Sequence, residues 1–414
     1  MSSADTASVL VLRGPRLPDG RTVDVRLAAG RIAAVGTPGS LTPAGTAPAA
    51  VTVDLSGYLL LPAPAEPHAH HDTALTAPGA GPPAAQVTGP PADDPACLQR
   101  RITEAALLQL GHGATAQRSH IGIGDLAGLT ALQAALRARR ALLGLTDLSV
   151  APVPRLLTGR AGADGRALLR DAAKMGAATL GGAPDLDPDP AGYLDELLRT
   201  ADEYGCALDL HTEGDDPGRL TRLASAAAGL RAGVALGPCT GLARMPAGTA
   251  ARTAERLAAA GVTVVALPQS PCALLPGDVP RGTTPVRLLR AAGVAVAAGS
   301  GALRDAANPV GRGDPLEAAY LLSSAGQTSP EEAYAAVSTH ARAALGLPPL
   351  RIEAGFPAEL LAVRGTDLPG ALSLAYSRVV IHRGRIVSRT SAVREFCGAA
   401  PPPDTPGLPR QSPR

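Results

Sequence analysis

The sequence predicts an α/β fold. A (β/α)8 barrel over residues 61–345 is joined to a small β-sandwich built from segments 1–60 and 346–395, and a disordered Pro-rich tail covers 396–414. Three observations carry that reading. A length of 414 residues with 45% hydrophobic content supports one large core and excludes a disordered chain or a disulfide-stapled mini-protein. Through the middle of the chain, short apolar runs alternate with amphipathic Ala/Leu/Arg-rich segments, the pattern of βα units around a parallel sheet. Similar β-branched runs separated by turn signals occur at both ends, where they are expected to pair with each other.

In order, the N-terminal runs are Val9 to Leu12, Val23 to Leu27 after a Pro18-Asp19-Gly20 turn, and Ile32 to Val35. The barrel strands are read at Leu59 to Pro62, Thr115 to His120, Asp147 to Val153, Ala177 to Gly181, Cys206 to His211, Gly233 to Gly237, Val262 to Leu267 and Val294 to Ala298. Eight strands, each followed by a helical segment, fit a closed barrel better than an open doubly wound sheet. The Pro/Gly-rich stretch Ala77 to Pro95 reads as an exposed loop, and Ala358 to Val363, Arg378 to Ile381 and Ile386 to Val387 complete the outer sheet.

Composition narrows the function. Basic and acidic side chains, 38 and 36, nearly cancel, and no block of like charge occurs, so neither a nucleic-acid partner nor an anionic membrane is indicated. Two Phe, six Tyr and no Trp argue against stacking platforms for bases. The expected partner is a small molecule, and a homo-oligomer stays open. Cys97, Cys206, Cys239, Cys272 and Cys397 show no CxxC spacing, which fits a reducing, cytoplasmic setting. Met1 to Val9 lacks an export-signal pattern, and no long apolar run suggests a membrane span.

Chemistry is signalled first by His68-Ala69-His70 at the end of the first predicted barrel strand. Histidines at i and i+2 on a strand share a face, so both imidazoles can reach one metal ion at the C-terminal mouth of a barrel. The surrounding segment, Leu61-Pro62-Ala63-Pro64-Ala65-Glu66-Pro67-His68-Ala69-His70-His71-Asp72, resembles the metal-binding signature of the amidohydrolase superfamily, specifically its cytosine deaminase branch. Arg118-Ser119-His120, Leu208-Asp209-Leu210-His211, Arg281-Gly282-Thr283-Thr284-Pro285-Val286, Arg304-Asp305 with Asn308-Pro309-Val310-Gly311, Gly313-Asp314-Pro315-Leu316-Glu317 and Thr339-His340-Ala341-Arg342 extend the resemblance over residues 1–395. It implies a barrel of the metal-dependent hydrolase type. One divalent ion, zinc or iron, would activate water to displace ammonia from a heterocycle, with His68, His70 and His211 as ligands.

The sequence departs from that pattern at several places. The resemblance implies an aspartate ligand after the eighth strand, where this chain reads Gly299-Ser300-Gly301, and a water-positioning histidine after the sixth, where Pro238 aligns. The proton-shuttle glutamate implied at His-x-x-Glu falls one place early, at Glu213, the catalytic candidate. Substrate-binding candidates are His120 and Arg155, the latter near the position implied for a pyrimidine-binding glutamine. Cys239, beside Pro238, is an extra-ligand candidate, since zinc accepts Cys and His together. His71 is a candidate hydrogen-bond donor behind the ligands. Asp305, His112, His340 and His382 read as structural, and Lys174, the lone lysine, is too far from the fourth strand's mouth to bridge two metals.

Two readings follow. In the first, the protein is a cytosine deaminase-like hydrolase of C–N bonds in a small heterocycle, acting by deamination or cyclic amide hydrolysis at a three-histidine site, since three histidines and a water form a workable catalytic zinc shell. In the alternative, it is a catalytically impaired relative acting as a small-molecule binder or a supporting subunit, because each missing acid–base group is worth about 10²- to 10⁴-fold in rate.

Overall fold

A computed structural model of the chain describes residues 9–41, 50–77, 94–124, 128–230, 232–269, 283–374 and 376–393. The expected loop at 77–95 and the expected tail at 396–414 lie largely or wholly outside these residues. Strands β1 (Leu10–Arg13), β2 (Asp24–Ala28), β3 (Arg31–Gly36) and β4 (Val51–Asp54) form a sheet of order β3-β2-β1-β4, antiparallel except for the β1/β4 pair. The next strand, β5 (Tyr58–Pro62), leaves that sheet.

The barrel follows as β6 (Ala65–Ala69), α1 (Pro95–Gly111), β7 (Ala116–Ile123), α2 (Thr130–Ala141), β8 (Asp147–Pro154), α3 (Ala163–Lys174), β9 (Thr179–Gly182) and α4 (Pro190–Tyr204). It continues through β10 (Ala207–Thr212), α5 (Pro217–Ala227), β11 (Val234–Pro238), α6 (Ala247–Ala259), β12 (Thr263–Ala266), α7 (Val286–Ala291) and β13 (Ala295–Ala298). Strands β6 to β8 and β9 to β13 form two parallel runs, β8 packs beside β9, and a parallel bridge between Ala69 and Gly301 joins the two ends. Helices α8 (Pro315–Ser324), α9 (Pro330–Val337) and α10 (Thr339–Ala344) complete the shell. Then β14 (Leu360–Arg364), α11 (Leu368–Leu374), β15 (Arg378–His382) and β16 (Arg385–Thr390) close the chain. Among the described residues no helix is long and apolar enough to cross a membrane.

Many of these helices announce their start. Asp94, Asp189, Asp216, Asp314 and Ser329 each cap a helix whose next residue is proline, and each side chain accepts a backbone N–H of the first turn. The oxygen satisfies an otherwise orphaned donor, and proline at the first helical position forfeits no hydrogen bond.

One strand assignment changes. Leu59 to Pro62, expected to open the barrel, instead pairs antiparallel with β14, Leu61 opposite Leu361, in a sheet of order β16-β15-β14-β5. Both faces of β5 are buried: Leu60 joins Leu12, Val25, Leu27, Leu360 and Ile381 inside the sandwich, while Leu59 and Leu61 face the barrel's helices. A two-sided strand reads as a continuous apolar run, which mimics a barrel strand. The true first strand, β6, has the unpromising sequence Ala-Glu-Pro-His-Ala because its polar side chains are buried among polar partners.

Glu66 on β6 is the clearest case. Its Oε2 accepts Ser300 N–H at 2.9 Å and Ser300 Oγ–H at 2.5 Å, and its Oε1 accepts His68 N–H at 3.0 Å. Burial pushes its carboxyl up to about 6. Gly299 permits the approach, since a Cβ there would stand 2.5 Å from Glu66 Oε1. Across the outer surface of the barrel, Arg378 of β15 meets Asp314 at the start of α8 with two bonds of 2.9 and 2.6 Å, and donates to His112 O at 2.7 Å. Burial pushes the Asp314 carboxyl up, but the Arg378 hydrogen bond and charge outweigh it and hold it below the usual value. The pair therefore stabilises the fold above the ordinary carboxylate range, and that contribution is lost as pH falls through the depressed folded value.

Removing one partner of such a buried pair leaves an uncompensated charge. Arg378→Ala is expected to lower unfolding free energy by about 3–5 kcal/mol at pH 7. The deficit should narrow toward pH 4, because without Arg378 the buried Asp314 of the variant takes up a proton there while the paired wild-type carboxylate does not. Urea denaturation at both pH values checks this, and an equal deficit at both would contradict it.

Candidate metal centre

Alternation along two strands builds the site. On β7, Arg118 and His120 share the inward face, and on β10, Asp209 and His211 do the same. His68 on β6 and His70 just beyond it complete the group. One donor atom from each of His68, His70, His120 and His211 lies within 4.8 Å of every other, and all four side chains are buried. The Nε2 atoms of His70 and His211 are 3.1 Å apart. Ring centroids are separated by 4.2 Å for His68–His120, 4.4 Å for His120–His211 and 5.4 Å for His70–His120.

The electrostatics favour neutral rings. Burial first, and the neighbouring imidazoles second, depress His68, and they depress His70 and His211 well below the ordinary value. Neutral imidazole is the form that ligates a metal. Both ring nitrogens of His68 and of His120 are buried without a hydrogen-bond partner. Buried polar atoms left unsatisfied are costly, and a cation placed among them would satisfy several at once. The residues present therefore fit a divalent metal ion.

Behind the rings lies Asp209, fully buried, with Oδ2 accepting Arg118 Nη1 at 2.9 Å. Its Oδ1 is 3.4 Å from His120 Nε2 and 3.8 Å from His68 Nδ1. Burial pushes this carboxyl up, but the facing His120, His68 and Arg118 groups outweigh it and hold it well below the usual range. Arg118 and Asp209 were visible in the sequence as the i−2 neighbours of His120 and His211. The signal was their shared face.

The other candidates sit elsewhere. His120, expected to face substrate, is inside the donor group. Glu213 follows β10, half-buried, with its carboxylate accepting a hydrogen bond from Thr240 Oγ1 and its backbone N–H donating to Asp185 Oδ2 at 2.9 Å. It is not one of the four grouped donors. Arg155 is exposed immediately after β8. Cys239 lies outside the donor group as well: its thiol is buried, and burial together with Asp185 and Glu213 pushes its pKa upward, away from the thiolate that zinc requires. Adjacency to Pro238 in sequence did not translate into facing the histidines.

The supporting groups behave as structure. His71 Nε2 donates to Gln109 Oε1 at 2.8 Å, and Gln109 Nε2 donates to Ser300 Oγ at 3.2 Å. Asp305 accepts the N–H groups of Ala307 and Asn308 at 2.9 and 3.0 Å. His382 is held by Glu359 at 2.8 Å, His340 by Val296 O at 3.1 Å, and His112 lies 3.7 Å from Asp314. Lys174 is exposed on α3 beside Asp171. At the closing seam, Gly301 adopts φ +73°, donates to His68 O at 3.1 Å, and the side-chain atoms nearest to where a Cβ would stand are those of Leu267, from 3.5 Å.

Comparison with known proteins agrees with this geometry. The sequence pattern of the amidohydrolase family matches residues 90–388. Pterin deaminase of Rhizobium rhizogenes is 37% identical over 227 residues, which is 51% of this chain and 52% of that protein, so the match spans about half the length of the relative. The crystal structure of N-isopropylammelide isopropylaminohydrolase from Burkholderia multivorans superposes with a TM-score of 0.79 at 25% identity, covering 93% of this chain and 100% of the other. That of 5-methylcytosine deaminase from Klebsiella pneumoniae, liganded with phosphonocytosine, gives 0.80 at 22% identity over 94% and 100%, a likeness of fold. With most of its length matched by the family pattern and the His-x-His strand in place within the barrel, the chain belongs to the amidohydrolase family.

Proposed function

We propose that this protein is a metal-dependent hydrolase that breaks a C–N bond in a small nitrogen heterocycle, releasing ammonia or an amine. The single observation that carries the reading is the buried four-histidine cluster, whose closely grouped donor atoms and the partnerless nitrogens of His68 and His120 suit a cation. The favoured substrate class is an amino-substituted pterin or pyrimidine, by analogy with the pterin deaminase that shares 37% identity over half the chain. Water adds at the ring carbon, one of its protons ends on the ring nitrogen and the other on the leaving nitrogen, and the C–N bond breaks, so that N=C–NH2 and H2O become HN–C=O and NH3.

His68, His70 and His211 would hold the ion, with zinc or iron suited to these ligands. A divalent ion there supplies Lewis acidity and makes water a nucleophile near neutral pH. The proton transfer falls to Glu213, the carboxylate at the mouth after β10, which Thr240 holds by one oxygen. Arg155, exposed after β8 at the same end of the barrel, is placed to meet the polar edge of a ring. An impaired binder would have no need to keep four imidazoles buried together, which favours the active reading.

Three outcomes are expected. Zinc at about 100 times its Kd should stabilise the protein by about 2.7 kcal/mol, seen as a raised thermal midpoint, and the His68→Ala/His70→Ala double variant should gain nothing. Zinc- or iron-loaded protein should release ammonia from at least one of a panel of aminopterins, aminopyrimidines and aminotriazines. Glu213→Gln should lower kcat by about 10²- to 10⁴-fold without altering the melting curve. A loaded protein that binds these compounds but releases no ammonia or amine would restore the binder reading.

A further inference from the structure

The cluster contains one more imidazole than the three proposed ligands, and it comes from a strand with no ligand in that scheme. We propose that His120 is the fourth protein donor to the metal ion, taking the coordination place that Gly301 leaves without a side chain, and that Asp209, anchored by Arg118, positions it. This rests on the reading of His68, His70 and His211 as ligands and deepens it.

Geometry comes first. Tetrahedral ligands at about 2.0–2.1 Å from zinc stand about 3.3–3.4 Å from one another. The His70 and His211 nitrogens are already 3.1 Å apart, and the grouped His120 nitrogen lies within 4.8 Å of its three counterparts. Small ring movements would bring all four to bonding distance. His120 is 1% exposed and neither ring nitrogen makes a hydrogen bond, Asp209 Oδ1 lying 3.4 Å from its Nε2.

Among the described residues no carboxylate at the closing seam competes for the place. Gly301 has no side chain and its surroundings there are Leu267, Ser300 is committed to Glu66, and one oxygen of Asp305 caps its own turn while the other lies 3.3 Å from Thr73 Oγ1. Asp209, the buried carboxylate that faces His120, is held back: Arg118 takes Oδ2, which leaves Oδ1 facing His120 and His68. A carboxylate behind a ligating imidazole fixes its tautomer and orientation. The resulting shell is made of imidazole rings alone, so the ion's charge is not offset by any directly bound anion.

The test uses the full chain and zinc or cobalt alone. Zinc affinity is measured by competition with a chromophoric chelator, cobalt(II) absorption reports the ligand set, and a crystal structure of the zinc-loaded wild-type protein needs no variant. The wild type should bind one equivalent with His120 nitrogen at bonding distance. His120→Ala should bind at least about 100-fold more weakly with an altered cobalt spectrum, whereas Asp209→Asn should lose about 10- to 100-fold and keep the four-nitrogen spectrum. Melting curves of the metal-free proteins identify any variant that fails to fold, and the wild-type structure then decides. Unchanged affinity and spectrum in His120→Ala, or a loaded structure with His120 out of reach, would overturn the proposal. If His68→Ala still abolishes binding in that case, the three-histidine reading survives alone. A wild type that takes up no zinc and no cobalt would remove both.

Discussion

Closure of the barrel rests on one carboxylate. Glu66 spans the seam between the first and last strands, receiving two hydrogen bonds from Ser300 and one from the backbone of His68. Because it holds the backbone N–H of His68, the same contact that shuts the cylinder also fixes where the His-x-His pair emerges. Ser300 then passes the constraint to Gln109 on α1 and on to His71, so the segment carrying His70 is tethered from both sides. A buried acid carries a desolvation cost, yet each of its oxygens has a donor, which is the condition under which such a group specifies geometry instead of weakening the core.

Above that seam the interior is layered. Going toward the mouth, β7 contributes Arg118 and then His120, while β10 contributes Asp209 and then His211. An ion pair therefore forms a floor beneath a ring of imidazoles. Alternating inward positions from different strands fill barrels in this way, and here the layers are polar. The arrangement separates two tasks: the lower layer supplies charge and orientation, and the upper layer supplies nitrogen donors.

Much of this was legible in the sequence, for physical reasons. Barrel strands covered on both sides give apolar runs, and seven of the expected locations overlap β7 to β13. Helix starts were written as Asp-Pro or Ser-Pro. The first barrel strand escaped because Ala-Glu-Pro-His-Ala has no hydrophobic signature, its burial depending on Ser300 more than two hundred residues later. The histidine triad could be named from its setting, but the inclusion of His120 and the exclusion of Cys239 depend on side-chain direction. For His120 the i−2 spacing of Arg118 was the available hint. For Cys239, which follows the strand end in a left-handed conformation, the sequence held none.

The pairing of β5 with β14 also has a history in time. Leu61 finds its partner in Leu361, 300 positions further along the chain (361 − 61). At ribosomal speeds of about 5–20 residues per second, that separation is roughly 15–60 s of synthesis. Throughout that interval a leucine-rich strand has emerged without the β14 partner for one of its edges, in a chain whose contacts are mostly distant. Nascent molecules are thus committed to finishing before they can close, and an aggregation-prone edge travels with them until the last strands leave the ribosome.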